Sequence, residues 1–574
     1  MDVDLVLLES SLWVGKKRYW AVLTGWHFNW TERDKKNREK MTVSVPVSEV
    51  VGVEVSQRSQ SEEADREFTV FYVKRTSSRS SNQLLWALGR TQFSCPSRDL
   101  RDQWLTQLRM ALKTHSPSRP HRLLVFINPF GGKKQGSHIY QSLVAPLFEL
   151  AGISCHVVVT ERANQARDHI LKKDLTDFDG VVCVGGDGMF SELLHGVIGR
   201  TQQEAGLSEH DPTLTLQSCD LHIGIIPAGS TDCVCFATVG VNDPVTSALH
   251  IIVGDSQPLD VCSVHHGSSL VRYSVSLVGY GFYGDVMAES EKHRWMGPLR
   301  YDYSGALVYL RNRSYAGIVQ YLPADPQLSS PRDKTRCLSR CTVCSKSTDR
   351  RLLAQSTNSS SLHGSQFSSD SEGEWVSVEG RFKAVSLTCM SSSCPRSPLG
   401  LSPSAHLADG TGDLIIVRDT HPLGFLTFLH RHTTTQDQFD LPFVDVHRVK
   451  AVRFSLPLGT EDNEDEDEGT VKDEGLVEDG EALSKSGSQQ HLAERVEERG
   501  MTNDRSVKKK DLSFGLCCSK TPSVSVWNCD GEILPYPEIL CRVHGQLVRL
   551  YARGIEDRSA PPFTNCKGRA FLHN

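Results

Sequence analysis

The sequence predicts a multidomain protein: an N-terminal β-barrel closed by one helix, an α/β domain on a parallel sheet, and a C-terminal β-sandwich domain. Three observations carry this. Strand patterns rich in valine and tryptophan fill residues 1–114 and end in apolar residues at every fourth position. Buried-type strands then alternate with helical patterns over 121–280, the pattern of a parallel sheet. Strand patterns return over 281–556, interrupted by two segments expected to be disordered, Ser-, Arg- and Lys-rich 326–373 and acidic-then-basic 459–511. A chain of 574 residues exceeds one compact core, so several domains are expected.

The first segment alternates around Trp13 to Leu23, runs through a valine-rich stretch from Val43 to Val55, and continues in a compact strand from Phe68. Ser97 is placed to cap the closing helix, and Leu100, Trp104, Leu108 and Leu112 form its apolar stripe. These features resemble a pleckstrin-homology domain, down to the tryptophan of the last helix. Lys16, Lys17 and Arg18 fall between the first two strands, where the resemblance implies a phosphoinositide headgroup. The plain alternative for such a cluster is a solvated loop.

From Leu123, the runs LLVFINP, CHVVVT, VVCVGG and IGIIPAG read as strands of the parallel sheet, whose ligands gather beyond the strands' carboxyl ends. The third run ends in Gly185, Gly186, Asp187 and Gly188, followed by a helix with Phe190, Leu194, Val197 and Ile198 on one face. Glycines let the backbone approach a ligand closely, and the helix N-terminus attracts phosphate. An aspartate beside a phosphate can take the proton of an attacking hydroxyl, so Asp187 is the candidate general base. A tight turn would use the same letters.

Other strand ends change that balance. NPFGGKK begins at Asn128, TERAN spans 160–164, PAGSTD begins at Pro227, and NCDGE ends at Glu532. In this order they resemble the signatures of the diacylglycerol, sphingosine and ceramide kinase catalytic family, with the closest likeness to its ceramide-phosphorylating branch. The resemblance implies transfer of the γ-phosphate of ATP to the primary hydroxyl of ceramide, with sphingosine or diacylglycerol as the alternative acceptor. It implies an ATP site at Asn128, Pro129, Phe130, Thr160, Glu161, Arg162, Ala163, Asn164, Glu192 and Gly229, closed by Asp530, Gly531 and Glu532 from the C-terminal part. It places Gly185, Gly186, Asp187 and Gly188 against the lipid hydroxyl and the reacting phosphate, with Asp285 as a further lipid contact. Without the family, Glu192 reads as a complement to its own helix dipole, Asp285 as a helix cap, and Asp530 with Glu532 as an exposed hairpin turn. Thr231 and Asp232 replace the Asn-Asp pair found in many relatives, and either could serve only to hold the loop. A membrane-recruited adaptor without turnover is the reading from another class.

Magnesium is expected with ATP, because adjoining phosphates need charge neutralisation. No G-x-x-x-x-G-K-[ST] loop is present, which excludes an ordinary P-loop kinase. Gly279 to Gly284 fits G-x-G-x-x-G by letter but lacks a dinucleotide-binding unit around it, and a turn into a helix around Glu291 is preferred. Cys337, Cys341 and Cys344 offer three metal-binding thiols, with Cys389 or Cys394 as a fourth and free cysteines as the plain reading. The apolar stretch from Phe425 to His432 reads equally as a core helix or as a calmodulin target, the latter implying calcium stimulation. A net charge of −6 argues against nucleic-acid binding. Seventeen scattered cysteines and no apolar run near about 18 residues lead to an expectation of a cytoplasmic protein, peripherally bound to Golgi or plasma membrane.

Overall fold

Seven antiparallel strands open the chain: β1 (Val6–Val14), β2 (Lys17–Thr24), β3 (His27–Arg33), β4 (Glu39–Pro46), β5 (Val50–Val55), β6 (Glu67–Ser77) and β7 (Leu84–Ser94), in the order β4-β3-β2-β1-β7-β6-β5. The computed structural model describes residues 5–33, 39–55, 64–77, 84–132, 134–297, 299–325, 329–358, 373–457 and 524–557. Ser97 caps helix α1 (Arg98–His115) by accepting the amide of Leu100, as its sequence predicts. Trp104 and Leu108 reach the core with Phe28, Phe68 and Phe93, and the Trp104 indole donates to Ser10. The valine-rich run from Val43 is not one strand. It breaks after Pro46 into a short 3-10 turn, because proline lacks the amide a ladder needs.

Four parallel strands follow: β8 (Arg122–Ile127), β9 (Ser154–Val159), β10 (Gly180–Gly185) and β11 (His222–Pro227). Their neighbour order is β9-β8-β10-β11, so the chain reverses direction across the sheet between β8 and β10. Helices α2 (Gly136–Ile139), α3 (Ala145–Leu150), α4 (Gln165–Lys172), α5 (Asp187–Glu204), α6 (Cys233–Val239) and α7 (Pro244–Val253) complete this part. Alternate side chains of β8 serve opposite faces: Leu124 and Phe126 meet α4 and α5, while Leu123, Val125 and Ile127 meet α3 and α7. The second face also receives Val51, Val73 and Trp86 from the N-terminal domain. Burying each such side chain contributes about 2 kcal/mol. No single helix is long and apolar enough to cross a membrane among the described residues.

The remainder contains β12 (Ser256–His266), β13 (Ser269–Ser274), β14 (Val278–Gly281), α8 (Phe282–Glu291), α9 (Leu299–Arg311), β15 (Tyr315–Pro323), α10 (Thr342–Asn358), β16 (Val376–Thr388), β17 (Gly412–Arg418), α11 (Pro422–Arg431), β18 (Val444–Ser455), β19 (Trp527–Cys529), β20 (Glu532–Leu534) and β21 (Ile539–Tyr551). This half is β-rich as expected. Its ladders run continuously into the parallel sheet, because β21 pairs with β12 and β18 and also lies parallel to β11. Strands β15, β16, β17 and β18 close a ring, each bonded to the next and β18 back to β15.

The expectation of disorder over 326–373 is corrected for 329–358, which carries α10. Ser347 donates to the Asp409 carbonyl, and Thr348 accepts from Gln546. Residues 326–328, 359–372 and the 459–511 segment lie outside the described residues. Helix α11 packs Phe425 and Phe428 into the core, the latter with no exposure, while Leu423 and Leu426 of the same helix are exposed. The resemblance to a G-x-G-x-x-G turn resolves as β14 running into α8 through Gly281 at φ +71°.

Candidate active site

The loops after β8, β10 and β11 meet at the point where the sheet order reverses. The Asn128 amide donates to the Val184 carbonyl at 3.0 Å, and the Ala228 amide to Gly185 at 3.0 Å. Gly186 has an ordinary φ of −98°, so left-handed geometry is not why it is glycine. The reason is contact: a Cβ at Gly229 would lie 2.5 Å from the Gly186 Cα, and one at Gly185 would lie 2.8 Å from the Met189 Cβ. Gly188 faces open space.

Asp187 begins α5 and is half-buried. Its carboxylate accepts the amides of Cys233 and Val234, both at 3.0 Å, which are the first two of α6. Two helix N-termini therefore converge at one carboxylate. Burial raises the pKa of Asp187, against the pull of those two amides. Asp232 is its neighbour, held at φ +51° and turned back to accept the Gly229 amide at 3.0 Å. Burial, and then the charge of Asp187, push Asp232 up to about 7. Among the described residues no lysine, arginine or histidine pairs with either group. Asp232 thus holds the 229–232 loop, one of the two roles left open by the sequence.

The expected nucleotide residues line the adjacent strand ends. The Asn128 Oδ1 accepts the amides of Phe130 and Gly131 at 2.9 and 3.0 Å, fixing the turn that carries Pro129 and leaving Phe130 65% exposed. Thr160 donates its amide and hydroxyl to the Ile127 carbonyl, which seats the 160–164 turn beside Asn128. Gln165 Oε1 accepts the amides of Glu161 and Arg162, while Ala163 leads to Asn164 at φ +59°. Glu192 accepts the Ala166 amide at 3.3 Å, so it serves the start of α4 and not its own helix. Burial raises its pKa.

The C-terminal residues return to this edge through contacts invisible in the sequence. Asp530 and Gly531, at φ +47° and +91°, form the two-residue turn between β19 and β20. The turn is as expected, but the Asp530 carboxylate is not exposed. It accepts Ser274 Oγ and the amides of Val275, Ser276 and Leu277, at 2.8, 2.8, 3.1 and 2.7 Å. Residues 275–277, held by those bonds, separate β13 from β14. Ser276 then touches Cys233, whose Sγ lies 3.3 Å from the serine Oγ, and Cys233 donates its amide to Asp187. Glu532 binds both terminal nitrogens of Arg272, and Arg272 Nη2 reaches Ser191, one turn along α5 from Asp187, at 3.1 Å. Arg272 Nε is buried without a partner. Arg272 sits in no motif, and Ser276 and Cys233 lie in runs that carry the resemblance without a role of their own; only the fold brings the three together here.

Asp285 belongs to the β-rich half. Its oxygens accept Tyr315 and Ser525 hydroxyls, each at 2.5 Å, and it is not the cap of α8. Lys16 sits in the β1–β2 turn, Lys17 pairs with Glu32, and Arg18 donates to Ser11. Of the proposed fourth partners for Cys337, Cys341 and Cys344, Cys389 is buried in the C-terminal core and Cys394 bridges to Ser397. The residue that joins the three is His406.

The family descriptions "Ceramide kinase PH domain", "Diacylglycerol kinase catalytic domain" and "Ceramide kinase C-terminal domain" match residues 8–108, 122–264 and 338–567. The chain is 47% identical over 527 residues to a ceramide kinase of Homo sapiens, covering 90% of each. It is 46% identical to one of Mus musculus, covering 90% of this chain and 91% of the relative. A ceramide kinase of Arabidopsis thaliana is 32% identical, covering 67% and 75%.

Proposed function

This chain belongs to the ceramide kinase family and is an ATP-dependent lipid kinase that makes ceramide 1-phosphate, and we propose that Asp187 is its general base. The primary hydroxyl oxygen of ceramide attacks the γ-phosphorus. The bond from that phosphorus to the β–γ bridging oxygen breaks, ADP leaves, and the hydroxyl proton passes to Asp187. The observation that carries this reading is the half-buried Asp187 carboxylate at two helix N-termini, with no cation paired to it and a pKa raised by burial. Arg272, with one buried nitrogen unpartnered and another on Ser191 in the first half of α5, is the cation assigned to the nucleotide phosphates.

Asp232, beside Asp187, offers carboxylate oxygens without a cationic partner, the hard donor type that Mg²⁺ takes. Bound with ATP, the ion would neutralise phosphate charge. The adenosine end lies along Asn128 to Phe130, the 160–164 turn and Glu192, while Asp530 acts by clamping 274–277. Asp285, fixed by Tyr315 and Ser525, meets the polar end of the lipid. The β1–β2 turn with Lys16, Lys17 and Arg18 faces a phosphoinositide-bearing membrane surface.

Equal concentrations of ceramide, sphingosine and diacylglycerol, offered in mixed micelles with radiolabelled ATP, test this assignment. Label is expected on ceramide above the other two. Preferential labelling of sphingosine or diacylglycerol would replace the acceptor, and no labelled lipid at all would favour the adaptor.

A further inference from the structure

We propose that Cys337, Cys341, Cys344 and His406 hold one structural zinc ion that fastens the 329–358 insertion to the connection between β16 and β17. The four ligand atoms all lie within 4.8 Å of one another. Cys337 and Cys344 sulfurs are 3.7 Å apart, and Cys341 Sγ is 3.3 Å from His406 Nδ1. A tetrahedral zinc with Zn–S near 2.3 Å and Zn–N near 2.0 Å separates its ligands by about 3.5–3.8 Å, so a shift of about 1 Å or less closes the set around the ion. Three sulfurs and one imidazole form a closed set of four, which favours zinc over magnesium or calcium and leaves no position for substrate.

The surroundings give the ion a purpose. Cys337 lies in irregular backbone, Cys341 immediately precedes α10, and Cys344 is in its first turn, whereas His406 is 1% exposed on a distant segment. The polar composition of 326–373 cannot build a core, yet 329–358 is ordered against the fold. Cys337 already packs beside Leu407, whose amide donates to its sulfur at 3.5 Å, and ligation would fasten Cys341 and Cys344 to the same segment. Between the ligands, the Ser339 amide donates to the Ile555 carbonyl, tying the cysteine loop to the strap after β21. The same loop lines a cavity of about 620 Å³ with Trp26 and Glu49 of the N-terminal domain, Asp255 after α7 and Arg553 after β21. The ion therefore stands beside the junction of the two domains.

The full chain, purified in reductant without added metal, should carry about one zinc per molecule by elemental analysis. Replacement by Co²⁺ should give thiolate-to-cobalt charge transfer in the near ultraviolet and tetrahedral bands in the visible. His406→Asn and Cys341→Ser should each lower metal retention by about tenfold or more. A variant could lose metal by unfolding, so the wild-type chain supplies a second reading: mercurial titration should release zinc in step with modification of three thiols. A chain that holds no zinc and shows no charge transfer with Co²⁺ would overturn the site. So would a Cys337–Cys344 disulfide found by mass in the reduced preparation, or full zinc and an unchanged cobalt spectrum in folded His406→Asn.

Discussion

Two buried clusters of charge in this protein are built on opposite principles. At the sheet edge, Asp187 and Asp232 are held by backbone amides, with no cation beside them. At the junction of the N-terminal and kinase domains, each carboxylate is matched. Glu49, 2% exposed, binds Arg75 and Arg553, and Glu556 binds Arg75 through two contacts at 2.9 and 3.2 Å. Both guanidinium groups lie over the Trp86 ring, at 4.7 and 5.0 Å, and the indole donates to Glu556. Arg119 adds bonds to the Val50, Val51 and Ile252 carbonyls, and burial lowers its pKa to about 10. The paired cluster completes itself and fixes two domains together. The unpaired one has charge left to spend on a ligand.

The sharpest way to break this contrast is to exchange which property is lost. Asp187→Asn should lower turnover by about 10²–10⁴-fold, while the folded state loses only about 1 kcal/mol, because the amide oxygen still accepts one α6 amide. Near-normal turnover in a folded variant would end its assignment as base. Glu49→Gln should do the reverse. Leaving two buried guanidinium groups short of a carboxylate should cost about 3–5 kcal/mol in denaturant unfolding, with the folded fraction still active. A stable Glu49→Gln protein without activity would mean that the junction acts on the chemistry itself.

The smallest effect concerns pH. Asp232, near 7 in the folded chain and about 3.9 unfolded, binds an extra proton when folded, so its stability contribution is present at low pH and lost as pH rises through that window. Glu556 behaves oppositely: burial raises its pKa, but Arg75 outweighs this and lowers it, so its contribution is present above the usual glutamate range and lost as pH falls. Asp232→Asn should therefore flatten the fall in thermal stability between about pH 4 and 7. An unchanged slope would show that Asp232 carries no such shift.

Much of the fold was legible from runs and periods. Three of the four parallel strands, β8, β10 and β11, stood out because strands buried on both faces are continuously apolar, while β9 lies exposed at the edge, and Ser97 with the Trp104 stripe marked α1. The turn residues Gly185, Gly229 and Asp530-Gly531 were equally visible, since left-handed or crowded backbone restricts the residue type. What the letters at those turns did not reveal was the partner of each side chain. Asp530 clamps 274–277, Glu192 serves another helix, and His406 joins cysteines more than sixty positions away. The N-terminal domain read as a separate module because nothing local in Glu49, Arg75 or Trp86 points to Arg553 or Glu556.

By itself, then, the sequence determined the elements, their turns and the family of chemistry, because hydrophobic period and backbone restriction act over a few residues. Tertiary structure alone decided which carboxylates would be neutralised and which left unpaired. That choice depends on β21 returning beside β11 and on α6 presenting its amides to α5, contacts between segments far apart in the chain. Charge acts through space, and only the folded chain sets those distances.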